Sequence, residues 1–302
     1  MTDFYFPHTL SSLLDGSDEQ LALVITENGP SYTRQELRIE IFRVAEQLTR
    51  LGIKRGDVVS LSFENDLELI VCFIAANFIG ATAAPLNAKY SADEVGFYLH
   101  DTSSNLLLVP LNGNKEAERA ALNLNIAVAS ATAKERTVVL VPKTGCSFYE
   151  GDIEQTKAFP DDIALFLHTS GTTGKPKGVP LSHRNMITTM RNITACYKLT
   201  SSDRGYIVMP LFHVHGLMAA LFSPLYSKGS IVLPAKSAGF QAKQLWKDIA
   251  TYNCTWFTAV PTMHQVRNNT SQPCSILVYC RFDFSPVFKS FFAGVTLIYG
   301  EL

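Results

Sequence analysis

Between Leu165 and Asn185 the chain reads LFLHTSGTTGKPKGVPLSHRN, and Thr169 to Gly178 holds the residue types that grip an anion. Glycines at 171, 174 and 178 allow backbone conformations closed to other side chains, so amide N–H groups can converge on one small anion. Thr169, Ser170, Thr172 and Thr173 add hydroxyl donors, and Lys175 and Lys177 supply charge. Together these are the chemistry of a polyphosphate clamp. A Ser/Thr/Gly cluster can also be a plain linker. This one, however, lies between the apolar run Ile163 to Leu167, read as a buried strand, and an expected helix start at Ser182. The Walker spacing is absent around Gly171 and Gly174, and so is the Gly-x-Gly-x-x-Gly dinucleotide spacing.

A second candidate is MPLFHVHGL, Met209 to Leu217, with His213 and His215 just after a predicted strand. If this stretch is extended, both imidazoles point to one side. Two such histidines suit a metal, but a zinc site needs three or four ligands and no cysteine pair is nearby. Hydrogen bonding in the core and contact with a substrate are the other readings.

These two segments need a scaffold, and strand and helix signals alternate along the chain. Leu21 to Thr26 reads as a strand, followed by a turn at Glu27-Asn28-Gly29-Pro30. Thr33 with Glu36 forms a capping box opening a helix that ends near Gly52. Val58–Phe63 is a predicted strand, Leu67–Phe78 a helix, Ala81–Leu86 a strand and Leu106–Val109 another, with a second capping box at Ser91 and Glu94. Lys143 to Asp162 is less regular. After the glycine-rich segment come a strand at Tyr206–Met209, a helix at His215–Tyr226, a strand at Ser230–Leu233, a helix at Gln241–Tyr252 and a strand at Trp256–Val260. This alternation predicts an α/β fold with layered, mostly parallel sheets and helices on their faces.

The ten residues from Thr169 to Gly178 resemble, without a mismatch, the phosphate loop of the adenylate-forming (AMP-binding) enzymes, which include acyl-CoA synthetases. SYTRQEL (31–37), IAANFIGATAAPLNAKYSADEVGFYLHDT (74–102) and TWFTAVPTMHQ (255–265) resemble further motifs of that family in the same order. The resemblance implies ATP-dependent acid–thiol ligation: a carboxylate attacks the α-phosphorus of MgATP, and coenzyme A then displaces AMP. It also implies that Thr169 to Gly174 with Lys175 and Lys177 bind the nucleotide's phosphates. His213 matches a family position where acid and α-phosphate meet, so a catalytic role follows, and His215 would join it in binding substrate. Phe212-His213-Val214-His215-Gly216 is most similar to the oxalate- and malonate-activating branch. A short dicarboxylic acid keeps one carboxylate that must be met by donors or a cation. ATP, Mg2+ and coenzyme A are thus the expected cosubstrates, with no metal held by protein side chains.

Composition sets the outer bounds. The 302 residues are 47% hydrophobic, and the formal charge of −1 leaves no footprint for nucleic acid or an anionic membrane. The six cysteines have no Cys-x-x-Cys pairing and are expected reduced and mostly buried. No signal peptide is evident, so a cytoplasmic protein is expected, with a peroxisomal one as alternative. Gly205 to Ser227 carries no Asp, Glu, Lys or Arg, yet its prolines and histidines argue against a membrane span.

After Gln265 the resemblance stops, and the family's aromatic-Gly-x-Thr-Glu motif and C-terminal lid are not found. The expected organisation is a partial N-terminal domain over 1–267, a divergent tail over 268–302 and no lid. Impaired catalysis and self-association through exposed apolar surface would follow. The alternative is a non-catalytic remnant that binds polyphosphate weakly or joins a partner subunit.

Overall fold

The computed structural model describes residues 9–154, 156–169, 176–235 and 241–260. A 3-10 turn at Leu10–Ser12 precedes β1 (Leu21–Ile25), β2 (Ser31–Thr33) and α1 (Arg34–Arg50). Next come β3 (Val58–Phe63), α2 (Leu67–Phe78), β4 (Thr82–Asn87), α3 (Ala92–Asp101) and β5 (Leu106–Pro110). Then follow α4 (Lys115–Asn123), β6 (Ala127–Lys134), β7 (Thr137–Thr144), β8 (Ile163–Thr169), β9 (Lys177–Ser182) and α5 (His183–Tyr197). The described chain continues through β10 (Arg204–Tyr206), a π-helical stretch (Gly216–Phe222), α6 (Ser223–Tyr226), β11 (Ser230–Leu233), α7 (Ala242–Thr251) and β12 (Trp256–Phe257).

The strands form two sheets. One has seven strands in the order β7-β6-β5-β3-β4-β8-β9, parallel from β6 to β8 with an antiparallel strand at each edge. The other is β12-β10-β11-β1-β2, parallel except for β2. Strand side chains alternate between faces, and here the alternation assigns the layers. Leu106 and Leu108 of β5 join the central core, while Leu107 and Val109 join a second core with Val95 and Leu99 of α3 and Ala117 and Ala121 of α4. Ile231 and Leu233 of β11 face the central core too, and Val232 packs with Leu245 and Ile249 of α7. Helices α1 and α2 therefore lie between the sheets, with α3 and α4 outside one and α7 outside the other. The α/β layering read from the sequence is the architecture observed.

Local chemistry explains the helix starts. Thr33 accepts from the Glu36 amide and Glu36 bonds back to the Thr33 amide; Ser91 and Glu94 repeat this reciprocal cap on α3. Asp66 caps α2, whose interior is almost wholly apolar and buried, as a helix between two sheets must be. Two expected boundaries move. The strand expected over Tyr206–Met209 stops at Tyr206, and the one expected over Trp256–Val260 stops at Phe257. Helix α4 and the β6–β7 hairpin were not anticipated. Of the four described cysteines, all free, Cys72 and Cys254 are buried, Cys146 is half-buried and Cys196 is exposed, so the expectation of mostly buried cysteines holds for two.

Two buried polar groups tie the layers together. Arg34, wholly buried, donates to the carbonyls of Leu13, Leu225 and Gly229, and burial lowers its pKa. His183, also wholly buried, accepts the Leu10 amide on Nδ1 at 3.1 Å and so holds the N-terminal 3-10 turn against α5. Burial pushes the His183 imidazole down to about 4, against a smaller opposing pull from Asp162.

That depression has a signed consequence. As pH falls below the ordinary histidine value of 6.5, the unfolded chain takes up a proton that the folded one refuses until about 4. Stability should drop across this window and level off below it, by about 3 kcal/mol from this group. Urea unfolding at pH 7.5 and 4.5 checks it. His183→Asn, which keeps an acceptor but does not titrate, should lose less stability on acidification than wild type; parallel losses would contradict the assignment.

Candidate active site

Strands β3, β4 and β8 run parallel, with Phe63 beside Asn87 and Ala83 beside Leu165, so their C-terminal ends emerge along one sheet edge. Both sequence-derived candidates come to this edge. β8 ends at Thr169, where the glycine-rich segment begins. Asn65, two residues past the end of β3, grips the turn that carries the histidines. Two strand positions separate β3 from β8, a lateral distance of about 10 Å. Open α/β sheets place their ligand sites along such edges.

The glycine-rich segment is not the strand–loop–helix unit expected from the sequence. Lys177–Ser182 is itself a strand, antiparallel to β8, with Thr169 opposite Lys177 and Ile163 opposite Ser182. Val179 and Leu181 are half-buried and Gly178 and Pro180 exposed, a period-two pattern that accounts for the strand. The segment therefore lies between two antiparallel strands, and helix α5 starts at His183, capped by Ser182, on the far side of β9. Thr169 and Lys177 stand exposed at the hairpin's open end. Ser170, Gly171, Thr172, Thr173, Gly174 and Lys175 lie outside the described residues.

The histidine turn is set by its backbone. The Asn65 side chain donates from Nδ2 to the Met209 carbonyl at 2.9 Å and accepts the Leu211 amide on Oδ1 at 2.7 Å. This bidentate clamp binds the segment after β10, in one sheet, to the end of β3 in the other. Met209 is thus bonded to Asn65, three residues beyond the end of β10. Residues 211–213 form a turn and His215 has helical dihedrals, φ −61° and ψ −47°. The condition for both imidazoles to share one side, an extended backbone, is therefore not met. His213 is exposed with its ring 4.4 Å from that of Phe212. His215 is half-buried, its Nε2 2.6 Å from Thr258 Oγ1. Burial, with a smaller contribution from His213, lowers the His215 pKa, so at neutral pH this ring is an uncharged hydrogen-bonding group.

Immediately afterwards Gly216 opens the π-helical stretch. A Cβ on this glycine would lie 2.1 Å from the Pro210 carbonyl oxygen, so the turn closes only with no side chain there. Single π turns interrupting helices recur at functional sites. Sequence reasoning found His213 and His215 but missed Asn65 and Thr258, their anchors. Asn65 had a faint signal, a polar residue between a strand and a helix cap; its partner 144 residues away had none. Among the described residues no group of three or more His, Cys, Asp or Glu side chains could hold a metal ion, and no helix is long and apolar enough to cross a membrane.

Layered, mostly parallel sheets thus bring the end of β8 and the histidine turn to one sheet edge. Residues 15–289 match the AMP-binding enzyme family, and the chain belongs to it. It is 47% identical over 237 residues to an oxalate–CoA ligase of Arabidopsis thaliana, covering 78% of this chain and 46% of that protein. To the oxalate–CoA ligase of Saccharomyces cerevisiae it is 33% identical over 285 residues, covering 84% and 52%. The chain thus spans about half the length of the curated relatives it matches. Among solved structures, o-succinylbenzoate CoA synthetase from Bacillus subtilis in complex with AMP aligns with a TM-score of 0.71 at 29% identity, over 88% of this chain and 65% of that one. ATP-bound MatB from Rhodopseudomonas palustris aligns at 0.73 with 24% identity, over 87% and 51%, which speaks for the fold alone.

The clamp and the close approach are testable together. Asn65→Ala leaves the Met209 carbonyl and Leu211 amide without partners, at a cost of about 1–3 kcal/mol each where water cannot replace it. Gly216→Ala overfills the turn and should cost about 1–3 kcal/mol or more. Denaturant unfolding should show both losses, and a neutral Gly216→Ala would show that the turn can open without penalty.

Proposed function

We propose that this chain carries the adenylating site of an ATP-dependent acid–CoA ligase acting on a small dicarboxylic acid, oxalate before malonate. The observation that carries the reading is that the end of β8 and the Asn65-clamped histidine turn come to one sheet edge. Such an enzyme has little covalent work to do. It must counter phosphate charge and hold a carboxylate in line with the α-phosphorus.

On this reading Thr169 to Gly174, with Lys175 and Lys177, hold the β- and γ-phosphates, and the exposed Lys177 brings its charge to the open end of the hairpin. Mg2+ would arrive with the nucleotide as MgATP and would supply neutralisation of phosphate charge. His213, exposed at the turn, meets the acid where it approaches the nucleotide. His215 offers a neutral N–H to the carboxylate that is not activated. The acid attacks phosphorus, pyrophosphate leaves, and the thiol of coenzyme A then displaces AMP from the acyl-adenylate. Similarity to two oxalate–CoA ligases supports the choice of acid. The division into an adenylating portion over 1–267 and a tail over 268–302 belongs to the same proposal.

Lys177→Ala removes a full charge facing several negative ones. Charge-assisted bonds are worth about 1.5–3 kcal/mol each, so MgATP affinity by calorimetry should fall about tenfold to a hundredfold. Unchanged affinity would remove the hairpin from the phosphate site. His215→Phe should weaken oxalate relative to aromatic acids in ATP–pyrophosphate exchange. A wild-type preference for cinnamate-like or long-chain acids over oxalate and malonate would overturn the substrate assignment.

A further inference from the structure

The hairpin that carries the polyphosphate segment overhangs its sheet. β4 registers with β8 at Ala83 and Leu165, while from Phe166 to Thr169 β8 pairs with β9 alone. Among the described residues β9 is the edge strand of this sheet. A two-stranded ribbon is only marginally stable in water, so an overhang that positions a highly charged ligand needs a support.

Helix α3 provides one. Its last residue, Asp101, accepts a hydrogen bond on Oδ2 from His168 Nε2 at 2.8 Å. The imidazole side chain is only 7% exposed although the carboxylate is 42% exposed. Around the imidazole stand the rings of Tyr98 at 4.6 Å, Phe166 at 5.3 Å and Phe97 at 6.0 Å. Among the described residues this is the one side-chain hydrogen bond joining residues 166–181 to another part of the molecule. Opposite His168 in register is Gly178. A Cβ there would lie 2.7 Å from the Phe166 ring and 3.2 Å from Asp101 Oδ2, so the missing side chain leaves the path along which the carboxylate reaches the imidazole.

We infer that Asp101 and His168 form a latch that fixes the β8–β9 ribbon to α3 and thereby sets where Thr169 and Lys177 stand. His168 directly precedes Thr169, so a shift of the imidazole is passed to the first residue of the segment without an intervening joint. Both are positioning residues: neither has to touch the ligand. The inference rests on the polyphosphate assignment above.

Two measurements on the full chain test it: hydrogen exchange by mass spectrometry over residues 166–181, and calorimetric binding of inorganic tripolyphosphate. Asp101→Ala and His168→Phe should speed exchange in 166–181 about tenfold, leave β3 unchanged, and weaken tripolyphosphate about tenfold. Asp101→Asn keeps an oxygen that accepts the Nε2–H and should restore most of both. Unchanged exchange and affinity in Asp101→Ala, with wild type binding normally, would overturn the latch and leave the phosphate assignment standing. Exchange that rises equally in β3 would reduce the pair to an ordinary stabilising contact and overturn it as well. If wild type binds no tripolyphosphate while the variants still loosen the hairpin, the phosphate assignment fails, and the latch's role in binding fails with it.

Discussion

One amide side chain joins the two sheets at the place where the chemistry is proposed. Asn65 has a donor and an acceptor on one planar group, and both are used on the backbone of a single turn, at Met209 and Leu211. An ionised carboxylate could not make this pair of contacts, since it has no donor, and a hydroxyl would have to make both from one oxygen. The turn that carries His213 and the helical entry at His215 begin at this fixed point. Gly216 completes the constraint, since the helix can begin that close to the Pro210 carbonyl only without a side chain.

The hairpin is built on the opposite principle. Where the backbone of the histidine turn is pinned by the Asn65 side chain, β8 beyond Leu165 pairs with β9 alone and its His168 bonds Asp101 of α3. At the base of the hairpin, Thr82 Oγ1 of β4 donates to the Ile163 carbonyl of β8. On the proposed reading, an acid that must be aligned and a pyrophosphate that has to leave call for two separately held supports.

What was legible in the sequence was local. Both Ser/Thr-to-Glu capping boxes, the apolar run of β3 and the buried α2 are each encoded within a few residues, and each was recovered nearly to its boundaries. The β6–β7 hairpin was not, because β6, AVASATAK, is rich in small residues with little strand signal of its own and gains its place by pairing with β5. β9 was hidden by Pro180, which normally speaks against a strand and is tolerated here because β9 is an edge. In the site, the histidines announced themselves by type and spacing. Their orientation did not, since it is dictated by Asn65 and Thr258, which are remote in sequence.

The electrostatics of the two supports differ in a way that bears on the proposed selectivity. Lys177 is exposed on the hairpin, suited to a triphosphate that brings its own metal and hydration. His215 is half-buried and neutral, held by a hydroxyl rather than a carboxylate. A neutral donor can satisfy a free carboxylate oxygen without the large desolvation cost that a buried cation would carry before substrate arrives. It gives up some strength in return, because only the acceptor of the bond carries a charge. Discrimination between acids would then come from geometry, from how far the second carboxylate reaches past His213 when the first meets the nucleotide. The shortest dicarboxylic acid leaves the least freedom in that distance, and the pinned turn is the element able to measure it.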